Sequence, residues 1–497
     1  MSRASDDLIL SRFEPLFAPR SVAVAGASAS LAKPGNRFIE ALRKHGFKGE
    51  IYPIHPHAPE IDGLTAYRTV ADVPEPVDYA FVAVGAQAVV KFLRAARNRL
   101  KFAQVMSSGF GETTHGIELE AELVRTAREV GIRVVGPNCI GLYSPRGKLP
   151  LLGGAMDAGG GIGVVSQSGG LSLDILGRGR VLGVKFRAIA SIGNCADVGP
   201  SEFLDYMLAD PETKVIGFYL EKLRDGRMFF EALRNSQGRK PVIILKGGQT
   251  QQGQRAAASH TGALANDNRL WAAVIRQTGA IPALDLNDLI HHFAAFQASS
   301  LVPEVGVGRA ILFGNGGGTG VIATDQFGRC GIDIAPLNNR LVRRLDNLEM
   351  PDGASIANPI DVPANILMRE KGEKARCIVA AIREEEPDAA LVMHLNLPVI
   401  DGYKDLDTIT GLIAWAIECQ VARQNPSPFH LVLRSDGAPR TEKLKTTLRA
   451  QAIVAGIPVF DELKDSANVL SSLQRLADFR LTRGIKYRYE VDSAAPV

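Results

Sequence analysis

The chain has 497 residues, 46% of them hydrophobic and 22% charged, and a formal net charge of +4. This length exceeds what one hydrophobic core serves, so about three domains are expected. The small net charge leaves no case for nucleic acid or an anionic membrane as the main partner. Five scattered cysteines (Cys139, Cys195, Cys330, Cys377 and Cys419), none in a C-x-x-C pair, argue against a disulfide frame and a structural zinc site and for a reducing compartment. Met1–Leu10 carries charges where a signal peptide would be apolar, and no apolar run is long enough to span a bilayer. A cytoplasmic protein without a metal site is expected.

In chain order, apolar runs at Ser21–Ala25, Ile51–Ile54, Tyr79–Val84, Phe102–Met106 and Arg133–Val135 alternate with helix-period stretches such as Phe38–His45 and Ile117–Val130. Such alternation predicts a parallel sheet with helices on both faces. The Gly- and Ala-rich stretch around Gly153–Gly163 reads as a linker. Further strands are predicted at Gly163–Val165, Phe186–Ser191, Val215–Tyr219 and Val242–Leu245. After a weaker break near Ala298–Gly308 come Arg309–Phe313, Ala389–His394, Phe429–Leu433 and Ile457–Phe460. The expected division is α/β throughout, with domains over 1–150, 151–300 and 305–485 and a tail over 486–497.

Strand Ser21–Ala25 runs into Gly26-Ala27-Ser28, with Lys33 in the same loop and a helix beginning near Asn36. A glycine there lets backbone approach a phosphate, whose charge the helix N-terminus favours. The loop is not G-x-G-x-x-G, and the second strand ends in Pro53-Ile54-His55-Pro56 without an acid for a ribose hydroxyl, which disfavours a nicotinamide dinucleotide. Two more loops, Ser107-Ser108-Gly109-Phe110-Gly111-Glu112 and Gly136-Pro137-Asn138-Cys139-Ile140-Gly141, fall at strand ends where ligands of open parallel sheets sit.

In the second region Ser166-Gln167-Ser168-Gly169-Gly170 joins a strand to a helix predicted from Leu171, a geometry for holding an anion. His260 stands among small residues in Ala256-Ala257-Ala258-Ser259-His260-Thr261-Gly262-Ala263-Leu264-Ala265. Small neighbours suit a loop that slides into and out of a tight place. With no second ligand at metal spacing, the imidazole reads as a general base or a nucleophile. A nucleophilic histidine needs an acceptor for its other ring N–H, and Glu221 at a strand end is the candidate; the competing reading is a surface carboxylate pairing with Lys222 or Arg224.

Together SIGNCADV (Ser191–Val198), TKVIGFYLEKLRDGR (Thr213–Arg227), KPVIILKGG (Lys240–Gly248) and AAASHTGALA (Ala256–Ala265) resemble the α subunit of ADP-forming acetyl-CoA synthetases and, more distantly, of succinyl-CoA synthetases. GFGE, GPNCIG and SQSGG follow the same family order, and the resemblance runs from about Phe13 to about Leu476. It implies a Rossmann-like CoA-binding domain followed by two flavodoxin-like, succinyl-CoA-synthetase-like domains. It implies His260 as a phosphorylated histidine and Glu221 as its orienting carboxylate. Ser168, Gly169 and Gly170 would form one phosphate-holding helix start, and Asn315, Gly316, Gly317 and Gly318 a second. Gly26, Ser28, Lys33, Ser108, Glu112, Pro137, Asn138 and Cys139 would contact CoA.

The chain departs from the family at Lys33-Pro34-Gly35-Asn36, Val84-Gly85-Ala86 and Ile54-His55-Pro56, all in the CoA domain. There is no G-x-x-x-x-G-K-[ST] loop. The resemblance therefore implies ATP/ADP and Mg²⁺ on a separate ATP-grasp β-type subunit, an α2β2 heterotetramer, and a small carboxylic acid as substrate. The alternative is a catalytically silent regulatory protein that binds CoA or acyl-CoA on the same scaffold.

Overall fold

The structure, a computed structural model, describes residues 3–30, 33–154, 156–261, 268–297, 307–423 and 427–485. It divides into two compact units, one comprising Met1–Arg180 with Val184–Leu284 and the other Val181–Gly183 with Asp285–Val497. No helix among the described residues is long and apolar enough to cross a membrane.

The first unit opens with helix α1 (Arg3–Phe17) and holds, among the described residues, two large sheets and a two-stranded antiparallel ribbon, Glu60–Ile61 with Leu64–Thr65. The first sheet consists of β1 (Ser21–Ala25), β2 (Glu50–Ile54), β3 (Val77–Val82), β4 (Leu100–Val105) and β5 (Arg133–Val135), all parallel, in the order β2-β1-β3-β4-β5. β1 and β3 are buried along their whole length, as expected of continuous apolar runs covered on both faces. Helix α2 (Pro34–Lys44) follows β1, and α3 (Ile117–Val130) ends on Gly131 in the left-handed conformation at φ 72°, where glycine carries no Cβ penalty.

The second sheet holds β6 (Leu142–Tyr143), β7 (Ile162–Ser166), β8 (Phe186–Ser191), β9 (Val215–Leu220), β10 (Val242–Lys246) and β11 (Ile281–Ala283) in the order β11-β10-β9-β7-β8-β6. Only the edge strand β6 runs antiparallel, against β8. Helices α4 (Gly169–Val181), α5 (Pro200–Ala209) and α6 (Gln251–Thr261) belong to this layer.

A shared core ties the two sheets together. Phe13 and Phe17 of α1 meet Phe203 and Tyr206 of α5, and the Phe17 and Tyr206 rings stack at 4.6 Å and 6°. Burying side chains of this size stabilises by about 1.5–3 kcal/mol each. Beside them Arg133 donates to Asp197 at 2.9 Å and to Glu202 at 2.8 Å, an ion-pair bridge from β5 to the second layer.

The second unit begins with α7 (Leu286–Phe296). Its sheet comprises β12 (Ala310–Gly314), β13 (Ile360–Asp361), β14 (Ala390–Asn396), β15 (Phe429–Arg434) and β16 (Val459–Phe460), all parallel, in the order β13-β12-β14-β15-β16. Helix α8 (Gly317–Arg329) follows β12, and α9 (Leu463–Thr482) packs on α7 and α8.

The three large sheets thus share one topology. In each, the first of the parallel strands lies between the second and the third, so the winding direction reverses once: between β1 and β3, β7 and β9, and β12 and β14. Open sheets of this kind leave a crevice at the carboxyl ends of the two strands flanking the reversal, which is where ligands bind.

Candidate functional site

At the first reversal Gly26 adopts φ +99°, and a Cβ there would stand 2.3 Å from the Ala83 carbonyl oxygen at the end of β3. Only glycine lets the two strand ends close together. The loop beyond is shaped by Asn36 in the first turn of α2: its Oδ1 accepts from the amides of Ser28 at 2.9 Å and Lys33 at 3.1 Å, and its Nδ2 donates to the Ser28 carbonyl and to Asp62. Ser28 stays half-exposed, and Lys33 is exposed. The loops after β3, β4 and β5 are chained to one another: Ser107 donates to the Val84 carbonyl, and the Asn138 amide donates to Ser107 O at 3.0 Å. Ser108 is exposed and Asn138 half-exposed along this rim.

Three of the residues expected to touch CoA have other duties. The Cys139 thiol is 2% exposed and donates to the Val105 carbonyl, and burial pushes it up to about 12, so it faces the core and not a ligand. Pro137 is buried beneath the rim. Glu112 folds back on its own loop, accepting from the amides of Gly109 and Phe110, and its other oxygen accepts from Asn194. Burial opposes its ionisation, but Asn194 and these amides outweigh burial and hold the carboxyl below its usual range.

At the second reversal Ser168 caps α4, its Oγ accepting from the Leu171 amide at 3.3 Å. Gly169 and Gly170 form the first turn, whose N–H groups have no intrahelical acceptor, and Gly170 is exposed. Across the reversal lies Glu221, one residue past β9; Tyr219 and Ser166 are register partners. Glu221 Oε1 accepts from the Tyr219 hydroxyl at 2.9 Å, and its carbonyl accepts from Lys246 Nζ at 2.9 Å. Burial and the adjacent carboxylate push the Tyr219 phenol well above its usual range, which keeps it a donor. Arg224 is engaged by Glu120, so its side chain serves the seam between the sheets.

That seam is polar. Asn194, in the loop after β8, donates from Nδ2 to Glu112 at 2.5 Å and to Glu120 at 2.8 Å, and its backbone amide donates to the Pro137 carbonyl. Glu120 also accepts from the Gly111 amide at 3.1 Å. Gly193 permits this contact, for a Cβ on it would lie 2.1 Å from Pro137 O. Gly111, Gln167, Gly193, Asn194, Lys222 and Arg224 line a small cleft of about 30 Å³ along the seam.

At the third reversal, within the second unit, Asn315 is 3% exposed and accepts from the Asn396 amide at 2.9 Å, so its side chain holds β14 instead of facing a ligand. The Gly316 amide is taken by Asp361 at 2.7 Å. Gly317 and Gly318 are exposed in the first turn of α8, where N–H groups have no intrahelical acceptor.

The segment holding His260 is helical through Thr261, where a loop was expected; a run of three alanines and a serine favours helix. Residues 262–267 and the side chains of residues 257–261, His260 among them, lie outside the described residues.

Residues 20–145 match the CoA binding domain family, and residues 159–296 match the succinyl-CoA ligase like flavodoxin domain. The α subunit of acetate–CoA ligase [ADP-forming] I of Pyrococcus furiosus is 32% identical over 403 residues, which cover 78% of this chain and 84% of that subunit. The chain belongs to the ADP-forming acetate–CoA ligase family. Acetate–CoA ligase [ADP-forming] I of Archaeoglobus fulgidus is 33% identical over 430 residues, 86% of this chain but 61% of that protein, so the chain spans less than two thirds of this longer relative. Among solved structures, acetyl-coenzyme A synthetase 1 of Ca. Korarchaeum cryptofilum in complex with phosphate and ADP matches with a TM-score of 0.79 and 31% identity, over 96% of this chain and 99% of that one.

Within this ligase family fold, sequence reasoning missed the residues that organise the loops: Asn36, Gln167, Glu120, Asn194 and Arg224. Asn36 had a readable signal, since an asparagine near a helix start beside a glycine loop is a common capping residue. Glu120, Asn194 and Arg224 had none, because the hydrogen bonds that join them to one another span 74 and 104 positions in sequence.

Proposed function

We propose that this chain is the α-type part of an ADP-forming acyl-CoA synthetase that interconverts a small carboxylic acid, CoA and ATP with acyl-CoA, ADP and phosphate. In the forward direction an imidazole nitrogen of His260 attacks the γ-phosphorus of ATP and ADP leaves. A carboxylate oxygen of the acid then attacks the phosphohistidine, giving acyl phosphate and free imidazole. The CoA thiolate finally attacks the acyl carbon and phosphate leaves. Ser168, Gly169 and Gly170 would hold the phosphoryl group at the start of α4, Gly317 and Gly318 would offer a second set of amides, and Glu221 would accept the second ring N–H of His260.

CoA would lie across the rim of the first sheet, with its phosphates near Gly26, Ser28 and Lys33 and Asn138 further along. The residues fit that group: the glycine approach at Gly26, the exposed Lys33 and the polar rim suit a phosphate-bearing ligand. ATP and Mg²⁺ would belong to an ATP-grasp β-type partner, the pair assembling as α2β2 in the cytoplasm.

The observation that carries this reading is the juxtaposition at one sheet reversal of a carboxylate, Glu221, with a helix start made of Ser168, Gly169 and Gly170. A silent CoA-binding protein has no use for that pairing. The test is an assay of acid-dependent ADP release across a panel of carboxylic acids, with the chain alone and with its ATP-grasp partner. Turnover should require both chains. Turnover by the pure single chain contradicts the division of labour, and CoA binding without turnover in the complex supports the silent alternative.

A further inference from the structure

Gln167 makes four side-chain contacts, three of them to the backbone of Glu221 and Lys222. Its Oε1 accepts from the amides of Glu221 at 2.5 Å and Lys222 at 2.9 Å. Its Nε2 donates to the Lys222 carbonyl at 2.7 Å and lies 3.3 Å from Cys195 Sγ. The partners leave one orientation of the carboxamide, because a flipped group would set its NH₂ against two N–H donors. Its own backbone amide donates to the Tyr219 carbonyl, and the next residue is the α4 cap Ser168. With Lys246 on the Glu221 carbonyl, each of the four N–H and C=O groups of residues 221 and 222 is tied down.

We infer that Gln167 is a positioning residue: it fixes the Glu221 carboxylate relative to the phosphate-holding start of α4, and through Glu221 it sets the protonation and reactivity of the histidine. The inference rests on the proposed role of Glu221. Glutamine is the side chain the position demands. Glutamate would lose the donor to Lys222 O and add a charge beside Glu221 and the phosphoryl group. Asparagine is one methylene too short to span to the Glu221–Lys222 peptide. Fixing a carboxylate in this way needs no contact with substrate, and loss of such outer partners typically costs about 10–100-fold in activity.

The experiment uses the full chain with its ATP-grasp partner and compares wild type, Gln167→Met, Gln167→Asn and Glu221→Gln, each first checked for a native melting transition. Single-turnover phosphorylation from ATP is followed as a function of pH, together with KM for CoA. Both Gln167 variants should phosphorylate about 10-fold or more slowly, with KM for CoA unchanged. The acidic limb of their pH profile should move to lower pH, because an imidazole that loses its fixed anionic acceptor protonates less readily. Wild-type rates, or slower rates with an unmoved pH profile, overturn the inference. If Glu221→Gln is slow while the Gln167 variants match wild type, the inference fails and the Glu221 reading stands. If Glu221→Gln itself matches wild type, both fail. Should Gln167→Met not fold, Gln167→Asn decides, since it keeps the polar amide.

Discussion

Asn194 donates from its side-chain amide to the Glu112 carboxylate at 2.5 Å, so a loop of the second sheet holds an acid of the first. The same nitrogen reaches Glu120 at 2.8 Å. Asn194→Ala leaves the half-buried Glu112 and the buried Glu120 short of a donor and should destabilise the first unit by about 1–3 kcal/mol in urea titration. The sign with pH follows from Glu112, whose folded pKa lies below its ordinary 4.5. Its contribution is complete above that value and is lost as pH falls below it, so Asn194→Ala should flatten the loss of stability under pH about 4.5.

Gly193 tests the closeness of the same seam. An added Cβ would meet Pro137 O at 2.1 Å and Asn138 O at 2.4 Å, both backbone atoms, at φ +48°. Gly193→Ala should cost about 1–3 kcal/mol in thermal unfolding and weaken CoA binding by displacing Asn138. An unchanged melting temperature would mean that the two layers part more easily than this packing implies.

Lys33 tests the CoA rim. An exposed cation on a phosphate contributes about 1 kcal/mol, so Lys33→Ala should weaken CoA by about 5-fold, less in high salt, by titration calorimetry. Phosphorylation from ATP should be untouched, because the proposed phosphate-holding residues belong to the second sheet.

The second unit should be acid-sensitive. Burial lowers His430 to about 3 and His291 to about 4, and burial with the nearby Arg434 charge lowers His394 to about 4, all from 6.5. A folded pKa below the unfolded one means stability complete above 6.5 and lost as pH falls from there toward 4. Asp465, raised to about 6 by burial, acts in the opposite sense in this window but counts once against three. His430→Phe should reduce the slope of unfolding free energy by about 1.4 kcal/mol per pH unit in that window.

Much of this was legible in the sequence. Apolar runs such as Ser21–Ala25 and Val242–Leu245 read as strands, and both are buried along their length. The family resemblance, and not periodicity, singled out Ser168–Gly170 and Glu221 as one site. What stayed illegible depends on distant pairing. Nothing near Asn194 announces Glu112, and the two-residue strands β6 and β13 are held by register, not by propensity. Asn315 and Cys139 looked like ligand residues because they sit in ligand loops, but loop position does not tell which way a side chain turns, and both turn inward.

The most direct test of the account is whether His260 carries phosphate. The complex of this chain with its ATP-grasp partner, incubated with ATP and Mg²⁺, should acquire an acid-labile, base-stable phosphate that peptide mapping places on His260, and His260→Asn should abolish it. Glu221→Gln should fold normally and take up the label at least ~10²-fold more slowly, the scale of losing one preorganised electrostatic partner. Label that persists in His260→Asn would contradict the account.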